Sequence, residues 1–85
     1  MKYFYSDIDG VRLTYGDIQP YSNMDCVPVY FERDDGKGDF DFAEGSVPYC
    51  AFTRSRGFSE QELEELRTYL RNNTMLLFDL ARQGI

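Results

Sequence analysis

The densest group of chemically versatile residues is DDGKGDFDFAEG, residues 34–45, with five carboxylates and three glycines. Carboxylates spaced around a glycine can hold calcium in an EF-hand loop. When Gly38 is aligned with the invariant glycine of that loop, Arg33 and Lys37 fall at ligand positions 1 and 5. Because cations stand at two ligand positions, we expect no metal here. The stretch also lacks the spacing of a phosphate-binding loop.

The same stretch has the pattern of a β-hairpin. Phe40 and Phe42 alternate with Asp39 and Asp41, which predicts a strand with one face buried and one face in water. The glycines that precede them suit a tight turn. We therefore expect a hairpin whose wet side could bind a basic partner. The predicted acidic face consists of Asp34, Asp35, Asp39 and Asp41.

Familiar catalytic arrangements are missing. The chain has no histidine, so a Ser-His or Cys-His pair is impossible and the commonest zinc ligand is absent. Cys26 and Cys50 lack C-x-x-C spacing and are expected to be reduced thiols in the core. Asp39 and Asp41 are expected to be solvated, not a catalytic acid-base pair. We predict a non-enzymatic protein without a cofactor.

Composition predicts one folded domain over residues 1–85, since 42% of the residues are hydrophobic and 16% are aromatic. The net charge of -6 repels nucleic acid and anionic membranes and favours a basic protein partner. The sequence has neither a signal-peptide pattern nor a transmembrane segment, so we expect a cytoplasmic protein. Four arginines near the helix entry are expected to balance nearby glutamates: Arg54, Arg56, Arg67 and Arg71.

Turn signals divide the N-terminal part into strands. Asp9-Gly10 predicts a turn between a strand around residues 2–5 and the alternating stretch that follows. Residues 17–25 show no periodicity and are interpreted as a loop. Three further strands are predicted as a meander at 27–32, 39–43 and 48–53, with the second turn at 44–46.

The C-terminal part carries strong helix signals. Ser59 and Glu62 have the spacing of a capping box, which predicts a helix from about residue 60 to about residue 83. Gly84 is the expected C-terminal cap, and Asn72-Asn73 could interrupt the helix because asparagine has low helix propensity. One face is predicted to pack on the sheet: Leu63, Leu66, Leu70, Thr74, Leu77, Phe78 and Ala81.

A second apolar stripe lies to one side of that face, formed by Tyr69, Leu76 and Leu80. Three exposed large apolar groups in a line predict a site for a protein partner or for a homodimer. The alternative is that the loop at residues 17–25 folds over the stripe and hides it within the monomer.

Residues 39–84 resemble the tail of a small uncharacterised bacterial domain family met near toxin-antitoxin and mobile-element genes. The resemblance covers about half of the chain. It rests on short strands followed by a capped helix with "EL..L..Y...N..LL" spacing. That family carries histidines in a strand segment, and none is present here, so no residue role is carried over.

We predict an α+β domain with a mainly antiparallel sheet of about four or five strands and one long C-terminal helix on one face. The predicted function is protein binding through the helix stripe or the acidic sheet edge. The alternative is an inhibitor from a mobile element that mimics nucleic acid and occupies the basic groove of a nucleic-acid-binding protein. Mimicry requires the four aspartates and the helix-entry glutamates to form one continuous face.

Overall fold

The structure is a computed structural model that describes residues 1–83. It is an α+β fold in which one helix packs on one face of an antiparallel sheet. The elements are β1 (Tyr3–Ile8), β2 (Val11–Tyr15), β3 (Gln19–Tyr21), β4 (Met24–Asp34), β5 (Phe40–Val47), β6 (Ala51–Arg56) and α1 (Glu60–Gln83). The predicted fold class is confirmed, with six strands where four or five were expected.

The strands follow the order β1-β2-β4-β5-β6, and β3 pairs with the first residues of β4. The predicted first hairpin is confirmed: Asp9 and Gly10 have φ of 53° and 81°, as a tight turn between two strands requires. Pro28 lies inside β4 although it cannot donate to a ladder. Its carbonyl accepts from Gly16, where β2 has ended, and the β3 pairing begins only at Cys26.

The interpretation of residues 17–25 as a loop is wrong for residues 19–21 and 24–25, which lie in strands. β3 and the start of β4 form a short hairpin, in which Tyr21 stands opposite Met24. Ser22 and Asn23 between them have φ of 53° and 68°. Asparagine and serine are common in such turns. The strand was not predicted because β3 has only three residues, one of them Pro20, and is too short to show periodicity.

The second meander turn also lies later than predicted. β5 continues to Val47, and the chain turns at residues 48–50. Gly45 is inside the strand, next to a bulge, and a Cβ atom there would collide with the carbonyl group of Ala51. Glycine is therefore needed for the close approach of β6, not for a turn.

The capping box at the start of α1 is confirmed. The amide of Glu62 donates to Ser59 Oγ at 3.1 Å, and the amide of Ser59 donates to Glu62 Oε1 at 2.9 Å. The helix is continuous across Asn72-Asn73, where the Asn73 side chain donates to the carbonyl of Tyr69 at 2.7 Å. The predicted cap at Gly84 lies outside the described residues.

The core lies between α1 and the sheet. The helix face predicted from periodicity is the packed one, since Leu63, Leu70, Leu77 and Ala81 are buried and Leu66 and Phe78 are partly buried against them. The sheet contributes buried side chains from its central strands: Leu13, Val27, Val29, Phe31, Ala43 and Val47.

Candidate functional site

The two faces of the sheet have different surroundings. Phe31 stands between Leu13 and Ala43 on the face that carries the helix, which we call the inner face. Its neighbour Tyr30 stands beside Thr14 on the opposite, outer face. Within residues 1–83, α1 is the one helix, so the outer face has no helical cover.

The phase predicted for β5 is reversed. Asp41 is paired with Arg33 on the inner face, whereas Phe40 and Phe42 point to the outer face. The Asp41 side chain is only 16% exposed. Alternation reveals the period of a strand but not which set of residues faces the core. Buried Ala43 and the residues beyond it determine that choice here.

Arg33 joins three elements at the entry of the helix. Its Nη2 lies 2.7 Å from Asp41 Oδ2, and its Nη1 lies 2.6 Å from Glu62 Oε2. The guanidinium also donates to the carbonyl of Gly57 at 3.2 Å and stacks 4.3 Å from the ring centroid of Phe58. These contacts tie β4, β5 and the first turn of α1 together, which is a structural role.

Hydrogen bonds within this cluster stabilise the charged forms of Glu62 and Arg33. Hydrogen bonding from Arg33, followed by the amide of Ser59, lowers the pKa of Glu62 from 4.5 to about 2. Hydrogen bonds to Glu62 and Asp41 raise the pKa of Arg33 above its ordinary value. A carboxylate with so low a pKa is a poor proton donor or acceptor near neutral pH.

The hairpin predicted at residues 34–45 is present, and its first carboxylates build the turn. Asp34 Oδ1 accepts from the amide of Gly36 at 2.8 Å. Asp35 Oδ1 accepts from the amides of Lys37 at 2.6 Å and Asp39 at 3.2 Å. No three His, Cys, Asp or Glu side chains among residues 1–83 group as they would around a metal ion.

The predicted acidic face is therefore not one surface. Asp34 and Asp35 bond to the loop, and Asp39 forms an ion pair with Arg56 at 3.1 Å on the outer side. Asp41 lies on the inner side with Arg33. Asp34 and Asp35 thus lie together in the turn, whereas Asp39 and Asp41 lie on opposite faces of the sheet.

The arginines near the helix entry balance carboxylates, as predicted. Arg54 lies 3.7 Å from Glu44, and Arg67 lies 2.9 Å from Glu64. Arg71 reaches the same Glu64 at 3.8 Å. They are spread over β6 and α1, with Arg67 and Arg71 sharing Glu64, so they do not form one basic patch.

Tyr69, the first residue of the predicted exposed stripe, is packed against the sheet. Tyr69 packs on Phe31, with ring centroids 6.4 Å apart, and its hydroxyl donates to Ser6 Oγ at 3.0 Å. The prediction that Tyr69 is exposed is wrong, because β1 extends the sheet over this flank of the helix. Periodicity gives the direction of a side chain but not the width of the surface that covers it.

Leu76 and Leu80 remain open, with exposed fractions of 57% and 37%. We call this pair the helix patch. The segment predicted to cover it does not do so: Ile18 packs against the core, while Tyr21 and Met24 are themselves exposed. The alternative in which residues 17–25 hide the stripe is therefore wrong.

The two cysteines are core thiols, as predicted. Cys26 and Cys50 are both buried and free. Cys50 Sγ lies 3.8 Å from Thr74 Oγ1 and thereby contacts the helix. Cys26 sits in β4, where it pairs with Gln19 of β3. Buried free cysteines commonly act as small apolar residues.

Sequence reasoning missed the aromatic groups of the outer face. Phe4 and Phe40 are 63% and 55% exposed. Phe42 and Tyr30 lie between them and are partly covered by cations, with Lys2 Nζ 4.1 Å from the Tyr30 ring centroid. The alternation of Phe4 with Tyr3 and Tyr5 was the available signal, since one of these two sets must face away from the core.

Comparisons with protein-family models, curated proteins and solved structures found no match to this chain. The resemblance to the bacterial domain family therefore stays a prediction. Within residues 1–83, no helix has the length and apolar character needed to cross a membrane.

Proposed function

We propose that this chain is a non-enzymatic protein-interaction module that offers the helix patch to a protein partner. The observation that carries the proposal is that Leu76 and Leu80, one turn apart on one flank of α1, stay exposed although the predicted apolar face and Tyr69 have packed on the sheet. Adjacent exposed leucines on a helix are typical of groove-binding or helix-pairing surfaces.

The net charge of -6 favours a basic partner. At roughly 100° per residue, Glu65 lies on the same flank of α1 as the patch. Glu62 lies on that flank too but is paired with Arg33, and Asp79 is paired with Arg82 at 3.5 Å. A partner with apolar side chains bordered by lysine or arginine is complementary to this arrangement.

We also propose that the protein is not an enzyme. Among residues 1–83, the clearly shifted pKa values belong to Tyr3, Tyr5, Arg33 and Glu62. Each shift moves its group further from titration at neutral pH, whereas a catalytic acid or base is tuned towards it. A cytoplasmic location is part of the proposal, and the two free, buried cysteines are compatible with a reducing compartment.

The alternative, a mimic of nucleic acid, has weaker support. A mimic needs uncompensated carboxylates in one row to replace phosphates. Asp41 is paired with Arg33 on the inner face, and Asp39 is paired with Arg56 on the outer side. Asp39 and Asp41 are therefore each paired with an arginine and lie on opposite faces of the sheet.

Affinity capture with the wild type and two variants tests the helix patch. Tagged wild type, Leu76→Glu and Met75→Glu are incubated with a lysate of the native host, and bound proteins are identified by mass spectrometry. Met75 is the matched control, because it is an exposed apolar residue of the same helix turn on the other flank. We expect the partner to be retained by wild type and by Met75→Glu and lost with Leu76→Glu.

Two results would contradict the proposal. One is a bound protein that all three baits retain equally, which would place its binding site elsewhere. The other is the lack of any saturable partner in a subsequent titration with purified proteins. Analytical ultracentrifugation of the same variants distinguishes a homodimer at the patch, since Leu76→Glu would then convert a dimer to a monomer.

A further inference from the structure

We propose that the outer face of the sheet binds a second copy of this chain, sheet against sheet. This proposal goes beyond the partner site on α1 and rests on a different surface. The two surfaces lie on opposite sides of the sheet, because the helix occupies the inner face. A pair of copies joined in this way would leave both helix patches free for partners.

The outer face carries four aromatic side chains. Phe4, Tyr30 and Phe42 lie on β1, β4 and β5, and Phe40 begins β5. Arg12 does not remove Phe4 from solvent, since it lies 6.0 Å from the Phe4 ring centroid and Phe4 is still mostly exposed. Phe40 is exposed as well. Large exposed aromatic groups on a flat surface are typical of interfaces.

The aromatic surface continues towards the β3 hairpin. Tyr21 and Tyr49 pack edge to face, with ring centroids 6.1 Å apart, and both are exposed. They border a shallow groove whose floor includes Pro28 and Ser46, two residues of the outer face. Apolar contact area is therefore available at both ends of the sheet.

The charge of the outer face permits self-association of an acidic protein. Its four cations are Lys2, Arg12, Arg54 and Arg56. Its five carboxylates are Asp7, Glu32, Asp34, Asp39 and Glu44. The face is thus within one charge of neutral, while the whole chain has a net charge of -6.

Most of these charges are already matched within one copy. Asp7 lies 3.7 Å from Arg12, and Glu44 lies 3.7 Å from Arg54. The Asp34 carboxylate is turned into the hairpin loop, where it accepts the Gly36 amide. Two copies that meet through this face would avoid the electrostatic repulsion between their other, more acidic surfaces. Ion pairs that now form within one copy could re-form between copies around the aromatic contact.

The size of the face is within the range of small protein interfaces. Five neighbouring strands about 4.8 Å apart span roughly 19 Å between the outermost strands, and the eight residues of β5 extend about 26 Å. This plan area is on the order of 500 Å² before side-chain relief is counted, compared with ~800 Å² per partner in a standard interface. Twofold pairing is the commonest form of small oligomer, and packed sheets lie about 10 Å apart.

Single-stranded nucleic acid is the competing occupant, because bases can stack on aromatic side chains of a sheet. Such surfaces also need a net positive charge along the backbone path. Here Glu32 and Glu44 lie between the cations of the two sheet edges and keep the face from being basic. A second copy, whose outer face carries a net charge of only -1, fits this surface better.

Sedimentation equilibrium between micromolar and millimolar protein tests the proposal. The variants are Phe4→Glu/Phe40→Glu, which alters the outer face, and Leu76→Glu, which alters the helix patch. All three side chains are exposed, so both variants should keep the wild-type circular dichroism spectrum. We expect a wild-type dimer, a dissociation constant at least tenfold higher for Phe4→Glu/Phe40→Glu, and an unchanged dimer for Leu76→Glu.

Fluorine NMR of protein labelled with fluorophenylalanine gives an independent readout. Resonances of Phe4, Phe40 and Phe42 should shift with protein concentration, while those of Phe58 and Phe78 near the helix should not. A wild type that stays monomeric, or a dimer broken by Leu76→Glu and not by the double variant, would overturn the proposal. Saturable binding of a labelled single-stranded oligonucleotide to the monomer would also overturn it.

Discussion

Arg33 and Asp41 face each other across β4 and β5, with Nη2 and Oδ2 2.7 Å apart on the side of the sheet that carries the helix. This pair lies under the first turn of α1, where Glu62 bonds to the same guanidinium. The carboxylates of the acidic hairpin therefore have three roles: Asp34 and Asp35 hold the turn, Asp39 and Glu44 form ion pairs on the outer face, and Asp41 holds the arginine that joins the sheet to the helix.

The first prediction compares Asp41→Asn with Asp39→Asn. Losing the Asp41 charge should lower the free energy of unfolding by about 1–2 kcal/mol, because its hydrogen bonds to Arg33 are partly buried. Losing the Asp39 charge should change it by no more than about 0.5 kcal/mol, because the Asp39–Arg56 pair is exposed. Urea unfolding of both variants measures the difference. Equal effects would mean that Arg33 does not anchor the helix.

The second prediction concerns the pH dependence of stability. Because the folded pKa of Glu62 is about 2 and its ordinary value is 4.5, the contribution of Glu62 is fully present above about 4.5 and is lost as the pH falls towards 2. The free energy of unfolding of wild type should therefore decrease through this window. That of Glu62→Gln should decrease less.

Urea titrations at a series of pH values measure these curves, and Glu60→Gln is the control. Glu60 lies in the same helical turn but has no pairing with Arg33. Parallel curves for wild type and Glu62→Gln would show that Arg33 does not shift the pKa of Glu62.

The parts of the fold that sequence predicted are those with local signals. The capping box at Ser59, the helix face and the Asp9-Gly10 turn depend on residues close in sequence, and all are present. The phase of β5 and the burial of Tyr69 depend on which strands lie alongside, so local pattern could not determine them.

The candidate surfaces also differ in whether local sequence patterns could predict them. Leu76 and Leu80 were identified from helical period and are exposed. The aromatic outer face was missed because the position of Phe40 on it follows from the phase of β5. The β3 hairpin was missed because its strand is only three residues long.

The third prediction is that the loop at residues 34–45 does not bind calcium. Asp34 and Asp35 already accept backbone amides of the turn, and Asp41 is held by Arg33. Amide NMR spectra recorded during a calcium titration should show only weak, non-saturating shifts. Saturable local changes at Asp35, Asp41 and Glu44 at micromolar calcium would refute this prediction.

The last prediction separates the helix patch from nucleic-acid mimicry through salt and charge variants. Binding of a basic partner at the patch should weaken as salt rises, because exposed charges are screened beyond ~8 Å at physiological ionic strength. It should be unaffected by Asp34→Asn/Asp39→Asn, because these carboxylates lie at the hairpin end and on the outer side, away from α1. A mimic would instead lose affinity in that variant, because two of the carboxylates that replace phosphates are neutralised. Titration calorimetry with the captured partner at two salt concentrations measures both effects, with Leu76→Glu as the reference for loss of the patch. Affinity that survives Leu76→Glu but falls in Asp34→Asn/Asp39→Asn would favour mimicry, whereas the opposite pattern is expected from the exposed leucines of α1.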